Sequence, residues 1–84
     1  MFNIEYSNQA VKFLKKADKN LARRILEKIE ELKSQPILHD SKSIEGYKEK
    51  LFRVRIGDYR AIYEVDYTNN KIGIVRIDKR ESVY

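Results

Sequence analysis

Residues 51–65 read LFRVRIGDYRAIYEV, and apolar side chains recur at every second position on both sides of a Gly-Asp pair. This period of two predicts two β-strands, because successive side chains on a strand point to opposite faces. The Gly57-Asp58 pair predicts a two-residue loop, since glycine takes the positive φ that a type II′ turn requires. The segment is therefore expected to form an antiparallel hairpin.

The two-residue loop fixes which residues of the two strands face each other. The expected pairs are Ile56 with Tyr59, Arg55 with Arg60, Val54 with Ala61, and Arg53 with Ile62. Paired side chains share a face, so one face is expected to receive the apolar residues Phe52, Val54, Ile56, Tyr59, Ala61 and Tyr63 as core. The other face receives Arg53, Arg55 and Arg60.

Three arginines on one face of a hairpin repel one another, because like charges on paired positions destabilise a sheet. An anion bound between them removes that repulsion, and a phosphate group suits the planar fork of arginine. The pattern favours a phosphate-binding face, with a solvated basic face as the alternative. Arg76 and Arg80, on or just after the last predicted strand, are further candidates for the same face.

The sequence around the hairpin predicts two helices and two further strands. Ser7 and Asp18 are each expected to cap a helix, because their side-chain oxygens accept backbone N–H groups of the first turn. The predicted order is a strand at 2–5, a helix after Ser7, a helix from Asp18 to Leu32, a polar connection at 36–48, the hairpin, a turn at 67–71 and a strand at 72–78. The predicted class is α+β, with an antiparallel sheet and a two-helix hairpin on one face.

Length and composition limit the class of protein. Eighty-four residues make one small domain over residues 1–84, and 18 Lys and Arg against 13 Asp and Glu give a net charge of +5. This surplus favours a polyanion or an acidic protein as partner. The absence of cysteine, of a secretory signal and of a long apolar run predicts a cytoplasmic protein that does not enter a membrane.

The chemistry available to the chain is narrow. His39 is the only histidine and stands in a polar connection, so neither a two-histidine ribonuclease site nor a histidine zinc site is expected. Neither paired carboxylates nor a glycine-rich phosphate loop occurs, and we expect no metal and no cofactor. Cleavage of RNA by its own 2′-hydroxyl remains possible with arginines as cations and a tyrosine of lowered pKa as base.

The hairpin at 51–65 resembles the central hairpin of the RelE/ParE toxin superfamily, and residues 79–84, KRESVY, resemble its closing basic-Arg-x-x-Val-Tyr signature. Residues 44–47 fit the family's approach to the hairpin, so the resemblance covers essentially the whole chain. It implies a RelE-like, microbial ribonuclease-type fold and the toxin of a type II toxin–antitoxin pair. The RelE branch, which it resembles most, consists of mRNA interferases: metal-independent endoribonucleases that cleave mRNA in the ribosomal A site.

The resemblance also implies roles for individual residues. Arg60 would hold the scissile phosphate, Arg80 would stabilise the transition state or act as general acid, and Tyr84 would stack on a base or act as general base. RelE has lysines where Arg53 and Arg55 stand here; arginine accepts protons poorly, so these two are assigned to charge stabilisation. Arg53, Arg55, Lys50 and Lys79 form the expected RNA- and phosphate-binding set.

The expected partners follow from the same resemblance. They are the ribosome, mRNA and an acidic, partly disordered RelB-like antitoxin that forms a hetero-oligomer with the toxin. Two other functions stay open: a ParE-like toxin that poisons DNA gyrase without ribonuclease activity, and a basic RNA-binding module without toxicity.

Overall fold

A computed structural model of the chain describes residues 1–44 and 50–79. These residues form β1 (Asn3–Tyr6), α1 (Asn8–Lys16), α2 (Lys19–Glu31), β2 (Lys42–Ile44), β3 (Leu51–Ile56), β4 (Tyr59–Asp66) and β5 (Lys71–Lys79). The five strands form one sheet in the order β1-β5-β4-β3-β2. The α+β class and the predicted order of elements are confirmed, and β2 is an additional strand within the predicted polar connection.

Both predicted helix caps are confirmed. The Ser7 hydroxyl accepts a hydrogen bond from the Ala10 N–H at 3.1 Å, and the Asp18 carboxylate accepts one from the Leu21 N–H at 2.9 Å. Ala17 is extended, so α1 ends there and α2 begins after one further residue. Neither helix is long and apolar enough to cross a membrane.

The β3–β4 hairpin has the predicted register at all four pairs, including Arg55 opposite Arg60. Gly57 has a φ of +59°, whereas Asp58 keeps a negative φ, as a type II′ turn requires. A Cβ at Gly57 would lie 2.7 Å from the Arg24 Nη2, the end of a flexible side chain that can move aside. The turn therefore needs glycine because of its positive φ.

The sheet is mixed, which differs from the antiparallel sheet predicted. β1 runs parallel to β5, with Ile4 beside Ile72 and Tyr6 beside Ile74, while β2 to β5 pair antiparallel. A tight turn forces antiparallel pairing on β3 and β4, but no turn joins β1 to β5. The two helices carry the chain from β1 to β2 at the opposite edge of the sheet. The antiparallel pairings from β2 to β5 then bring the chain back beside β1, where β5 runs in the same direction as β1.

The helices cover one face of the sheet and form the core with it. The largest fully buried side chains are Tyr63, Ile25, Ile29, Leu32, Ile72, Ile74, Ile77 and Val54. The hydroxyl of the buried Tyr63 donates to the Pro36 carbonyl at 2.8 Å and meets the Ser41 hydroxyl at 2.8 Å. Burial raises the pKa of Tyr63, so this hydroxyl stays protonated. The contacts of this hydroxyl with Pro36 and Ser41 hold the connection that leads into β2.

A β-bulge in β5 changes which of its side chains reach the core. Ile62 pairs with Arg76 but Tyr63 pairs with Ile74, so Val75 is an extra residue. Regular alternation would put every even-numbered residue of β5 on the core face with Ile74. The bulge reverses the alternation, so that Ile77 is buried and Arg76 faces the other way.

Side chains from the start of α1 hold β5 beyond the bulge, where β1 has already ended. The Ser7 hydroxyl donates to the Val75 carbonyl at 2.7 Å. The Gln9 side-chain amide accepts from the Ile77 N–H at 2.9 Å and donates to the Ile77 carbonyl at 2.7 Å. Gln9 thus bonds β5 as the peptide group of a neighbouring strand would.

The substitution Gln9→Met should destabilise the fold, because it leaves the N–H and carbonyl of Ile77 without their amide partner. We expect the free energy of unfolding to fall by about 1–3 kcal/mol, measured by urea denaturation. The same substitution at the exposed Gln35 is the matched control and should change it by less than about 0.5 kcal/mol. Equal losses in the two variants would contradict the role given to Gln9.

Candidate functional site

The face of the sheet that points away from α1 and α2, here called the outer face, carries a cluster of basic residues near the hairpin loop. Register places two rows of residues across the strands of this face. One row is Lys42, Arg53, Ile62 and Arg76; the other is Arg55, Arg60 and Asp78. The five cations of these rows are called the basic cluster, and Asp78 is the one carboxylate among them.

Asp78 bridges two arginines of the basic cluster. One carboxylate oxygen accepts from the Arg60 Nε at 2.8 Å, and the other accepts from the Arg76 Nε at 2.9 Å. The Asp78 side chain is 22% exposed, whereas that of Arg76 is 56% exposed. Partial burial raises the pKa of Asp78, but the hydrogen bonds and charges of Arg60 and Arg76 outweigh it and leave this pKa below its ordinary value.

Asp78 reduces the repulsion among the arginines that was expected from sequence alone. The repulsion between Arg55 and Arg60 is partly relieved within the chain, because the carboxylate lies opposite Arg60 in the same row. Five cations and one carboxylate still leave the two rows with four positive charges in excess. The region therefore attracts anions even with Asp78 ionised.

The outer face is polarised from one end to the other. Glu5 and Glu64 both pair with Gly73, which places them on the outer face away from the hairpin loop. Glu64 lies over Gly73, where an added Cβ would come within 3.2 Å of its carboxylate. Glu5 is also ion-paired with Lys71 at 3.4 Å, so the excess of positive charge on this face is concentrated at the basic cluster.

Arg53, Arg55 and Arg60 come together as predicted, whereas the two predicted lysines lie elsewhere. Lys50 precedes β3 and lines a shallow cleft of about 480 Å³ with Glu64 and Asp66, far from the hairpin loop. Lys79 is exposed and pairs with Tyr59, on the side of the sheet that the helices cover. The roles assigned to all five residues stay predictions.

Sequence reasoning missed two residues of the site, Lys42 and Asp78, and did not decide which face of the sheet Arg76 lies on. Lys42 pairs with Arg53 from a strand hidden in the polar connection. Asp78 and Arg76 reach the outer face only because the bulge reverses β5, and regular alternation gives no sign of it. Arg80 and Tyr84, which the resemblance implicates, lie outside the described residues, as does Gly46-Tyr47 of the approach to the hairpin.

The tyrosines that the structure describes do not supply a base to the basic cluster. Tyr6, Tyr59 and Tyr63 belong to the helix-covered face, and Tyr67 contacts Phe2 in the turn between β4 and β5. Burial raises the pKa of both Tyr6 and Tyr63, which opposes deprotonation. A tyrosine base on this face would have to be one of the two outside residues 1–44 and 50–79.

His39 is exposed, as expected of a surface histidine. Its neighbour Asp40 pairs with Lys28 at 2.9 Å, and hydrogen bonding to Lys28 lowers the pKa of Asp40. Over the described part of the chain, no group of three His, Cys, Asp or Glu side chains is arranged to hold a metal ion.

Comparison with known proteins identifies the class of protein to which this fold and this basic outer face belong. The family described as the ParE toxin of the type II toxin–antitoxin system parDE matches residues 4–84. The chain therefore belongs to this toxin family, within the RelE/ParE superfamily, and it is most like the RelE toxins. The resemblance stated from sequence is confirmed.

Individual relatives support this placement. The protein named toxin RelE1 in Methanocaldococcus jannaschii is 34% identical over 85 residues, covering 99% of this chain and 94% of its own length. A chain of the archaeal RelE–RelB complex from Pyrococcus horikoshii is 31% identical, with a TM-score of 0.85 and 98% of each chain covered. The isolated RelE toxin of E. coli has a TM-score of 0.83 at 16% identity, covering 99% and 88%, and shows the shared fold.

The ionised Asp78 should make stability depend on pH. Its folded-state pKa lies below the unfolded value of about 3.9, so its contribution is complete above that value and is lost as the pH falls through the folded-state pKa. We expect wild type to exceed Asp78→Asn by about 1–2 kcal/mol at pH 7 and the difference to shrink toward pH 2. Urea denaturation at a series of pH values measures it.

The comparison must be made between wild type and the variant, because the pKa values of Asp40 and Asp66 are also lowered and make stability depend on pH with the same sign. A difference between wild type and Asp78→Asn that stays constant down to pH 2 would contradict the ion pairing described here.

Proposed function

We propose that this toxin is a ribosome-dependent, metal-independent endoribonuclease, a single catalytic domain over residues 1–84 that cleaves mRNA in the ribosomal A site and stops translation. The observation that carries the proposal is the basic cluster, in which Arg60 pairs with Arg55 in register and with Asp78 through its Nε. A phosphodiester is the anion that suits several converging guanidinium groups.

The reaction needs charge stabilisation above all. The 2′-hydroxyl oxygen attacks the neighbouring phosphorus, the bond from phosphorus to the 5′-oxygen breaks, and a 2′,3′-cyclic phosphate and a 5′-hydroxyl remain. Negative charge gathers on the phosphoryl oxygens during the attack, and preformed cations in that position lower the barrier. Arg60 is assigned to this phosphate, with Arg53 and Arg55 supplying further positive charge.

Proton transfer is assigned to the closing signature by resemblance. Arg80 would stabilise the transition state or protonate the 5′-oxygen, and Tyr84 would stack on a base or accept the proton of the 2′-hydroxyl. Asp78 is a poor candidate for the base, because both of its oxygens accept hydrogen bonds from arginines and its pKa is lowered.

Dependence on the ribosome is assigned by resemblance to the RelE branch. A charged surface attracts RNA but does not hold a 2′-hydroxyl in line with its phosphate. Fixing that geometry is a large part of catalysis, and the ribosome supplies it by holding the codon.

We also propose an acidic RelB-like antitoxin as the partner in a hetero-oligomer. The relatives from P. horikoshii and M. jannaschii are RelE–RelB complexes, and the second has 31% identity, a TM-score of 0.71 and coverage of 95% and 94%. The net charge of +5 is complementary to an acidic partner. Cytoplasmic action is part of the same proposal.

Arg60→Ala should reduce mRNA cleavage in a translation extract by about 10²–10³-fold, because it removes a cation from the developing charge. Arg80→Ala and Tyr84→Phe should each reduce cleavage as well. Arg23→Ala, an exposed arginine of α2, is the matched control and should cleave like wild type. Primer extension locates the cuts, and end-group analysis should find a 2′,3′-cyclic phosphate.

Two experimental outcomes would contradict this proposal, and each would establish a different function. The matching family is described as ParE toxins, so intact mRNA together with accumulated cleaved DNA–gyrase complexes would establish a gyrase poison. Unhindered growth on expression, with salt-sensitive RNA binding only, would establish a basic RNA-binding module.

Expression of the chain alone should arrest growth, and co-expression with the product of the neighbouring reading frame should restore it. The two proteins should copurify, and their association should weaken as salt rises because opposite charges draw them together. Arrest that persists despite a stable complex would contradict the antitoxin role.

A further inference from the structure

We propose that Asp78 is a positioning residue that holds Arg60 and Arg76 as a clamp of two guanidinium groups for one RNA phosphodiester, with Arg76 as a phosphate-binding residue. This inference rests on the proposed ribonuclease function, since it concerns the same site. It adds Asp78 to the set expected from sequence and gives a role to Arg76, which the sequence had left as a further candidate.

The geometry of the bridge sets the direction of both guanidinium groups. Arg60 reaches Asp78 from the neighbouring strand, and Arg76 reaches it from two positions earlier on the same strand. In both contacts the donor is the Nε, at 2.8 Å and 2.9 Å. With the Nε donors directed at Asp78, a phosphate in the proposed clamp would be contacted by terminal Nη groups, which is one of the two-pronged arrangements that a guanidinium group allows.

Holding both arginines before RNA arrives has an energetic advantage. An arginine side chain loses up to about 2 kcal/mol of rotamer entropy when it is fixed. The ion pairs of Asp78 meet part of that cost in the folded chain, so less of the binding energy of the phosphate is consumed in ordering Arg60 and Arg76. Donors fixed in advance are the arrangement that stabilises a transition state best.

A carboxylate inside a phosphate site also has a cost, and that cost makes the proposal testable. Asp78 reduces the long-range attraction for RNA, so Asp78→Asn raises the net charge of the chain from +5 to +6. If only long-range attraction mattered, this variant would bind RNA more tightly and cleave it at least as fast. The clamp predicts slower cleavage, which is the opposite sign.

Glu64→Gln is the matched control. It makes the same change in charge on the same face of the same sheet, but Glu64 lies over Gly73, outside the two rows that contain the basic cluster. We expect Glu64→Gln to bind RNA slightly more tightly and to cleave like wild type.

The experiment compares wild type, Asp78→Asn, Glu64→Gln and Arg76→Lys. Binding of a short single-stranded RNA is measured against salt, and single-turnover cleavage is measured on programmed ribosomes. Asp78→Asn should bind RNA as tightly as wild type or more tightly but cleave at least about 10-fold more slowly. Arg76→Lys keeps the charge but loses the Nε donor and should also cleave about 10-fold more slowly. Cleavage by Asp78→Asn at the rate of Glu64→Gln would overturn the proposal.

A second readout does not depend on activity and separates failure of the clamp from failure of the ribonuclease function. In ¹⁵N NMR spectra, the Nε–H signals of Arg60 and Arg76 should be shielded from exchange in wild type and lose that protection in Asp78→Asn. Titration with inorganic phosphate should shift both arginine signals in wild type and much less in Asp78→Asn. Phosphate shifts that are identical in the two proteins would refute the clamp, whatever the cleavage result.

Thermal unfolding of each variant shows whether it is folded at the temperature of the assays. If Asp78→Asn is unfolded, Arg76→Lys alone decides: unchanged cleavage and unchanged phosphate shifts in that variant would overturn the proposal.

Discussion

The register of β5 against β4 is the constraint on which both faces of the sheet depend. Ile72, Ile74 and Ile77 must all reach the core, yet the interval between the last two is three residues, which an unbroken strand does not allow. The bulge at Val75 resolves this conflict and turns Arg76 and Asp78 outward in the same step. The same bulge therefore determines both the packing of the core and the arrangement of charge on the outer face.

Much of the fold could be predicted from sequence because much of it is local. The turn at Gly57-Asp58 is encoded within a few residues, and it fixes the pairing of Arg55 with Arg60 and hence the face of three arginines. The caps at Ser7 and Asp18 are equally local. What could not be predicted depends on partners remote in sequence: the parallel pairing of β1, the strand that carries Lys42, and the reversal in β5. Tyr84 entered through resemblance alone, and the catalytic role of Arg80 did so as well.

In the proposed reaction, the outer face would act through positive charge where other ribonucleases use histidine. The single histidine is exposed in the connection before β2, away from both rows of the basic cluster. Arginine remains protonated at any physiological pH, so a site of this kind attracts and stabilises an anion without titrating. Such a site leaves proton transfer to a separate group and orientation to a larger assembly, which fits a toxin whose proposed substrate is already held by the ribosome.

The hydrogen bonds of Gln9 have a consequence for how the chain behaves among its own copies. The edge of a sheet is a template on which a second chain can add a strand, and β5 would present such an edge beyond the end of β1. With both backbone groups of Ile77 already bonded to the Gln9 amide, an incoming strand cannot pair with them. A single side chain of α1 thus opposes the addition of a second copy at Ile77, and it does so from the opposite side of the sheet to the basic cluster.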